Sequence, residues 1–475
     1  MSRILKTIFR NTFWLGAAEL INGVLMFFLV IWLARYLGAT VYGKLMFTIS
    51  IVNLFSIITD FGLTSLFTRQ VARYKNEVRR YVANIISIKI FLSIIAFILL
   101  FVVLFIVKKD NQTITLLYLM SIWMILNSFS TFFQSVFRAF EKMKYEALIK
   151  VIYVTNIFIL GVITISLNLN VIFLAWFYVL SVFVSALIAI LFVKKYFCSI
   201  TLKFNFKFWK ELLKKSWPFA LSAMFIMIYY YMDSVMLGFM GQDKEVGWYN
   251  AAYRPIMFLI MVSGLISTAF FPAISKLYKQ SINRLENLIY KFSKTIFIIS
   301  IPMAIGGVLV GHDLIILLFG AEYTKSILAF QILIWTASII YISSIFGPTL
   351  QACDQQKKHL FGVGLGALMN IILNIILIPL FSLYGAAIAT LSAEIAVVIY
   401  MHINLRKIIS YKISKNLWRP ILSSLAMAIF LLLVNNLYVI IQILLGSLIY
   451  FIILFLLRGI NKKDIIFFKQ VVLNK

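Results

Sequence analysis

Fourteen apolar stretches, each bounded by polar or basic residues, fill this 475-residue chain almost from end to end. A helix of about 20 apolar residues crosses a bilayer core about 30 Å thick, and most of the stretches reach that length. Hydrophobic residues make up 63% of the chain, which leaves little sequence for a soluble domain. The pattern predicts an all-α polytopic membrane protein with about 14 transmembrane helices.

We number these stretches as spans 1 to 14, with ends placed to within a few residues. Their predicted ranges are 12–35, 44–66, 83–107, 113–137, 146–167, 171–193, 216–240, 249–272, 295–318, 326–350, 359–380, 384–403, 418–434 and 438–457. The predicted parts of the chain are an N-terminal six-helix lobe (1–193), a cytoplasmic linker between the lobes (194–215), a C-terminal six-helix lobe (216–403), and helices 13 and 14 with a cytoplasmic tail (404–475).

Two hairpins far apart in the sequence look like copies of each other, which supports the division into two lobes. Span 1 begins near Trp14 and is followed by Gly38, and span 7 begins near Trp217 and reaches Gly238. Six spans per copy is an even number, so both copies cross the membrane in the same direction. Parallel repeats of this kind occur in secondary transporters, where the substrate path lies between the two halves.

The Lys and Arg residues between the spans predict the orientation, because positive residues that flank spans are retained on the cytoplasmic side. If the N-terminus is cytoplasmic, most of the 44 basic residues fall in inner connections and few fall in outer ones. Both termini are then cytoplasmic. The net charge of +28 faces anionic phospholipid headgroups in this orientation, which argues against nucleic-acid binding.

The longest predicted connections, 194–215 and 273–294, are both cytoplasmic. Residues 204–210 mix Phe, Trp and Lys. They are interpreted either as an amphipathic segment on the inner leaflet or as an ordinary basic linker.

Ionisable side chains within the spans are candidates for function, because a charge in hydrocarbon costs on the order of 3 kcal/mol or more. Glu19, Asp60 and Lys89 lie at a similar depth in the inner third of the first lobe, where they are predicted to neutralise one another. Lys150, near the inner end of span 5, is expected to extend its ammonium group to the membrane surface. The structural alternative for these residues is an ion pair that fixes helix packing.

The second lobe carries three such residues. Asp233 and Arg254 lie in the outer third of adjacent antiparallel spans, so they are predicted to meet, and Glu394 lies near the middle of span 12. Pro255 directly follows Arg254 and is expected to break the regular helix there. Neutral polar side chains at helical spacing indicate either a cavity or interhelical hydrogen bonds; they are Asn53 and Ser56, then Asn127, Thr131, Gln134 and Arg138, then Asn370 and Asn374.

Enzyme motifs are missing from the sequence. It contains no complete phosphate-binding loop of the G-x-x-x-x-G-K-S/T type and no H-E-x-x-H motif, and its three histidines lie far apart. The predicted outer connections are all too short for the catalytic region of a polysaccharide polymerase or ligase. We therefore expect a protein that is not an enzyme and that has neither a cofactor nor a metal.

The sequence resembles the polysaccharide flippases of the multidrug/oligosaccharidyl-lipid/polysaccharide (MOP) exporter superfamily, specifically the O-antigen (Wzx-type) group. The similarity extends over essentially the whole chain. The residues that carry it are Ala34 to Gly38 with Tyr42-Gly43, Asp60 to Leu63, Tyr231-x-Asp233 with Leu237-Gly238, Tyr249 to Arg254, Asn370-x-x-x-Asn374 with Ile378-Pro379, and Tyr384 to Ala387.

The resemblance implies two six-helix lobes in a V-shaped, MATE-like arrangement that rock between inward-open and outward-open states. It implies a substrate made of an oligosaccharide on polyprenyl pyrophosphate, moved outward across a bacterial inner membrane. Arg254, Arg35 and Lys89 are then candidates for binding the anionic group, and Asn374 is a further substrate-binding candidate. The candidates for coupling to a proton or sodium ion are Asp60, Asp233, Glu19 and Glu394.

By analogy, a polysaccharide polymerase and a chain-length regulator are expected partners, and a monomer is the expected transport unit. Two other functions stay open. A multidrug antiporter of the same fold would need a cavity dominated by acidic and aromatic residues, which the basic residues in the spans disfavour. A polytopic sugar-transfer enzyme is disfavoured by the short outer connections.

Overall fold

The computed structural model describes residues 3–106, 109–411 and 417–460, and within them all regular structure is helical. The α-helices of these residues are α1 (Arg3–Asp60), α2 (Leu63–Arg73), α3 (Val78–Ile106), α4 (Asn111–Ala139), α5 (Met143–Ser166), α6 (Val171–Tyr196), α7 (Phe206–Met240), α8 (Asp243–Gln280), α9 (Ile282–Phe319), α10 (Ser326–Ala352), α11 (Gln356–Phe381), α12 (Leu383–Arg406), α13 (Trp418–Leu433) and α14 (Val439–Leu456). The predicted all-α class is confirmed.

Twelve helices of the described residues are long and apolar enough to cross a membrane. Helix α1 accounts for two predicted spans, because Gly38 adopts φ 71° and ψ 165° and kinks it between spans 1 and 2. Helix α13 is apolar but has only 16 residues. The predicted fourteen spans therefore correspond to α1 on both sides of its kink and to α3 through α14.

The inner end of span 2 is shorter than predicted. The sequence predicts a helix to residue 66, but α1 ends at Asp60, and Phe61 and Gly62 both take positive φ values, of 45° and 72°. A methyl group at Gly62 would also lie only 2.6 Å from backbone atoms of Ser216 and Ala220 on α7. Glycine is needed here for both reasons, and the break starts the short amphipathic helix α2.

The two long connections that are predicted to be cytoplasmic, 194–215 and 273–294, are largely helical. Helix α7 already begins at Phe206, and α8 and α9 are separated by a single residue, Ser281, whose hydroxyl caps α9. The apolar stretches end near the membrane surface, but the backbone continues as helix because its hydrogen bonds are satisfied in water as well. Apolar length predicts the membrane crossing and not the helix length.

The chain forms two compact units, Met1–Gly247 (unit 1) and Trp248–Lys475 (unit 2). An apolar core of unit 1 includes buried residues of α2, α3 and α4, among them Phe67, Ile85 and Phe132. A core of unit 2 includes residues of α8 to α10 and α12, with Phe270 stacked on Phe292. The predicted lobes, 1–193 and 216–403, are a different division from these compact units, because they describe which parts of the chain move together during transport. That division stays a prediction.

Candidate functional site

Four charged side chains form a connected network between α1, α4 and α5 of unit 1. Glu146 is buried and accepts a hydrogen bond from Nε of Arg138 at 2.9 Å. Nζ of Lys150 lies 3.5 Å from a carboxylate oxygen of Glu146 and 2.5 Å from one of Glu19. Arg138, Lys150 and Glu19 keep side-chain exposures of 36%, 31% and 46%. Exposed charges are not stable against lipid tails, so this part of the network faces water or headgroups.

This network corrects one prediction, because Glu19 does not pair with Lys89 but with Lys150. Lys150 lies between two carboxylates and keeps 31% of its side chain exposed, so its extension to the membrane surface stays a prediction. Depth along the helices was readable from the sequence, but which helices adjoin was not. Glu146 was missed, although its spacing of four residues from Lys150 is a recognisable ion-pair signal.

The predicted pairing of Asp60 with Lys89 is confirmed. Nζ of Lys89 lies 2.7 Å from Oδ1 of Asp60, and the lysine side chain is completely buried. Asp60 is the last residue of α1, and Thr64 on α2 donates a second hydrogen bond to the same oxygen. The break at Phe61 and Gly62 thus places a hydroxyl next to the carboxylate. A buried ammonium is stable only with such a partner.

Unit 2 holds a buried polar cluster of a different kind between α11 and α12. The side-chain amide of Asn374 donates to Oδ1 of Asn370 at 3.1 Å, and the amide of Asn370 donates to Oγ1 of Thr390 at 3.2 Å. Glu394 lies one turn beyond Thr390 and is only 6% exposed. Among the described residues, its Oε2 atom has no hydrogen-bond partner. The cluster therefore places a carboxyl group with no ion-pair partner among the described residues inside the membrane-spanning part of unit 2.

Three further predicted site residues lie nearer the predicted outer side. Asp233 on α7 of unit 1 is buried, Arg254 on α8 of unit 2 is half-buried, and Arg35 is exposed just before the kink at Gly38. The pairing of Asp233 with Arg254 stays a prediction. Pro255 does not break the helix, since α8 continues through it to Gln280.

The polar stripes of unit 1 mostly satisfy their own helices. The amide of Asn53 donates to the carbonyl of Ile49, and Thr131 donates to the carbonyl of Asn127. The amide of Gln134 donates to the hydroxyl of Ser130 within α4, and the hydroxyl of Ser130 hydrogen-bonds that of Ser185, which joins α4 to α6. Most of these side chains therefore form hydrogen bonds within their own helix, and the interhelical alternative is seen where Ser130 contacts Ser185.

Two ion pairs lie beside the kink of α1. Nζ of Lys44 is 2.6 Å from Oδ2 of Asp110, and Nζ of Lys109 is 2.6 Å from Oδ1 of Asp243. Partial burial would raise the pKa of Asp110, but hydrogen bonds from Lys44 and Thr113 outweigh it and hold that pKa below its ordinary value. The Asp110 carboxyl group is therefore ionised at neutral pH.

Unit 2 also contains an apolar cavity of about 360 Å³. It lies between α9, α10, α13 and α14, and its lining includes Pro302, Ile334, Met427 and Tyr450. Its walls are mostly apolar and suit a hydrocarbon chain better than a sugar.

Residues 8–278 match the model of a family described as polysaccharide biosynthesis protein. The chain belongs to this family. It is 26% identical over 361 residues to a Shigella dysenteriae protein named "Putative O-antigen transporter". The aligned residues cover 74% of this chain and 88% of that protein. It is also 24% identical over 238 residues to the lipid II flippase MurJ of Bacillus subtilis, covering 47% and 43% of the two chains.

The solved structures agree on the fold. The lipid II flippase MurJ in an inward closed conformation matches with a TM-score of 0.77 at 20% identity, covering 92% of this chain and 97% of that one. A multidrug resistance MATE family transporter in an inward-facing conformation matches with a TM-score of 0.66 at 17% identity, covering 81% and 95%. The resemblance to the Wzx-type group of the MOP superfamily is confirmed. This family member is a multi-pass membrane transporter and not an enzyme.

Proposed function

We propose that this chain is a flippase that moves polyprenyl-pyrophosphate-linked oligosaccharide repeat units from the cytoplasmic to the outer leaflet of a bacterial inner membrane, for O-antigen or capsular polysaccharide synthesis. Membership of the polysaccharide biosynthesis family and the similarity to the Shigella protein over 74% of the chain support this substrate class. A glycan cannot enter hydrocarbon without losing its hydration, so its transfer requires a polar path through the protein.

The observation that carries the proposal is the partly exposed contact of Lys150 with Glu19, which lie within predicted spans 5 and 1 of unit 1, next to Arg138 just beyond the end of span 4. These groups keep 31% to 46% of their side-chain surface exposed, so they do not face lipid tails, and we propose that water reaches them from the inner side of the membrane. A water-filled path of this kind suits a hydrated glycan. The apolar cavity of unit 2 offers room for part of a prenyl chain.

Cationic side chains in the spans supply partners for the pyrophosphate. Arg254 is the first candidate, because a guanidinium group can hold a phosphate through two parallel hydrogen bonds. Arg35 is exposed and is the second candidate. Lys89 is the third, since its ion pair with Asp60 must first open. Asn374 is proposed to contact the substrate through its amide group.

Transport is proposed to occur by alternating access, with lobes 1–193 and 216–403 joined by the linker 194–215 and both termini cytoplasmic. Helices 13 and 14 lie outside the two repeats. A single chain is the proposed transport unit, because a path between two repeats of one chain needs no second subunit. A polysaccharide polymerase and a chain-length regulator are its proposed partners, and anionic phospholipids surround its inner side.

A proton or a sodium ion is proposed to drive the cycle. Glu394 is the first candidate for the coupling residue, because a buried carboxyl group without an opposite charge changes its energy strongly when it binds a cation. Asp60 and Glu19 already contact lysines, so a cation must displace those partners. Asp233 is the remaining candidate.

The experiment is complementation of a deletion strain with the wild-type chain, Arg254→Ala or the control Arg406→Ala, an exposed arginine at the end of α12. Surface polysaccharide and the lipid-linked repeat units on each membrane face are measured. We expect wild type and Arg406→Ala to restore surface polymer, and Arg254→Ala to leave repeat units on the inner face. Normal polymer in the deletion strain itself would contradict the proposed substrate, and resistance to cationic dyes would then test the antiporter.

A further inference from the structure

Two segments of unit 1 approach each other through their backbones near the kink of α1. A methyl group at Gly43 would lie 1.7 Å from the carbonyl oxygen of Asp243, and one at Gly247 would lie 2.0 Å from the carbonyl oxygen of Ala39. One segment is the part of α1 after its kink, and the other is the first turn of α8. Only glycine permits this approach, because backbone atoms cannot rotate away as a long side chain does.

Side chains reinforce this backbone contact. The Lys109–Asp243 ion pair is 2.6 Å long, with side-chain exposures of 16% and 15%. Nζ of Lys109 also lies 5.1 Å from the ring centroid of Phe47, which is fully buried. The ring of Phe47 in turn packs edge-on against Phe239 of α7 at 5.4 Å. An ion pair, a cation–π contact and an aromatic pair thus stabilise the backbone contact between residues 39–43 of α1 and residues 243–247 of α8, which we call the seam.

The neighbouring ion pair has a different place in the topology. Lys44 and Asp110 both belong to the predicted N-terminal lobe, whereas the pair of Lys109 and Asp243 joins that lobe to the predicted C-terminal lobe. Both pairs lie on the outer side in the predicted orientation. If the lobes rock apart to release substrate outward, the Lys109–Asp243 pair must break, whereas the Lys44–Asp110 pair is kept.

We infer that Lys109, Asp243 and the glycine contact of Gly43 with Gly247 form an outer gate, which holds the chain closed to the outside and opens once in each transport cycle. This inference rests on the proposed alternating-access function. It assigns to these residues a role in the cycle, and it makes the Lys44–Asp110 pair a built-in control of the same chemistry and length.

Crosslinking tests the gate in a chain whose two cysteines, Cys198 and Cys353, are replaced by serine. The pairs Lys109→Cys with Asp243→Cys, and Lys44→Cys with Asp110→Cys, are joined with a bifunctional methanethiosulfonate, and lipid-linked repeat units are measured on each membrane face. We expect the first crosslink to lower flipping at least about tenfold and dithiothreitol to reverse the loss. The second crosslink should leave flipping within about twofold.

Flipping that persists after the first crosslink, or that is lost equally with both, overturns the gate. Absence of flipping in the uncrosslinked chain contradicts the proposed function instead.

A second measurement tests the gate without transport. Ala39 is completely buried at the seam, so an Ala39→Cys side chain should react slowly with a membrane-impermeant maleimide added from outside.

Asp243→Asn and Gly247→Ala should each accelerate that labelling several-fold, because each weakens the seam. Asp110→Asn is the control for the first and Gly16→Ala for the second, since nothing lies within 4 Å of the position of a methyl group at Gly16. Equal labelling rates in all four variants would overturn the gate, whether or not the chain transports a lipid-linked glycan.

Discussion

The two units stabilise their intramembrane polar groups in different ways. In unit 1, Asp60 contacts Lys89, and Glu19 and Glu146 both contact Lys150. In unit 2, the cluster on α11 and α12 consists of amides, a hydroxyl group and Glu394, and among the described residues Glu394 forms no ion pair. Unit 1 therefore neutralises its charges by pairing, and unit 2 keeps one carboxyl group that a proton or cation can neutralise.

The difference separates structural from switchable charges. A paired charge contributes little net stability but is expensive to leave alone, because desolvation has already removed its water. An unpaired carboxyl group responds to binding of a cation, because no fixed partner competes with that cation. Variants in either unit test this difference, and their expected effects on the free energy of unfolding decrease from Asp60→Asn to Asp110→Asn.

The largest effect is expected for Asp60→Asn, which leaves the fully buried ammonium of Lys89 without its counter-charge. We expect a loss of about 3 kcal/mol, measured by denaturation in detergent micelles. The double variant Asp60→Asn with Lys89→Met should recover most of the loss, since it removes both charges. If the double variant is as unstable as the single one, pairing does not explain the role of Lys89.

Asn370→Ala should have the next largest effect, because it removes the acceptor of Asn374 and the donor to Thr390 together. A loss of about 1–3 kcal/mol is expected from buried groups that lose partners. Asn404→Ala is the matched control in α12, where the amide only donates to the carbonyl of Tyr400 within its own helix. Similar losses in both variants would mean that the cluster is not a connected unit.

Glu394→Gln should change stability by less than about 1 kcal/mol, since the replacement has nearly the same shape and Oε2 of Glu394 has no hydrogen-bond partner to lose among the described residues. Its effect should fall on transport, as loss of the dependence of flipping on the ion gradient. Glu19→Gln is the comparison in unit 1, where the ion dependence should survive. Ion-dependent flipping by Glu394→Gln would contradict the assignment of the coupling residue.

The smallest effect is expected for Asp110→Asn, because this aspartate is 45% exposed and exposed pairs contribute at most about 1 kcal/mol. The pKa of Asp110 is lowered in the folded chain, chiefly by Lys44 and Thr113 acting against burial. Its contribution is therefore complete above the unfolded pKa of about 3.9 and disappears as the pH falls through the lower folded pKa. Denaturation of both chains at pH 7 and near pH 3 measures this difference.

Much of the fold was predictable because membrane crossing depends on a local property. Apolar length located nearly every span, and the Asp60–Lys89 pair followed from two charges at equal depth. The partner of Glu19 was not predictable, because Lys150 belongs to a helix four spans away whose neighbours the sequence does not specify. The outer gate was missed for the same reason, since Lys109 and Asp243 lie in connections that are distant in sequence.

The sequence alone determined that this chain is a helical membrane protein of the polysaccharide biosynthesis family, because hydrophobic length, flanking charge and short motifs are local signals. The tertiary structure decided which charges meet, where backbones touch at Gly43 and Gly247, and that Glu394 lacks an ion-pair partner among the described residues. Ion pairs and backbone contacts act over a few ångströms between helices that are remote in sequence, so only packing specifies them.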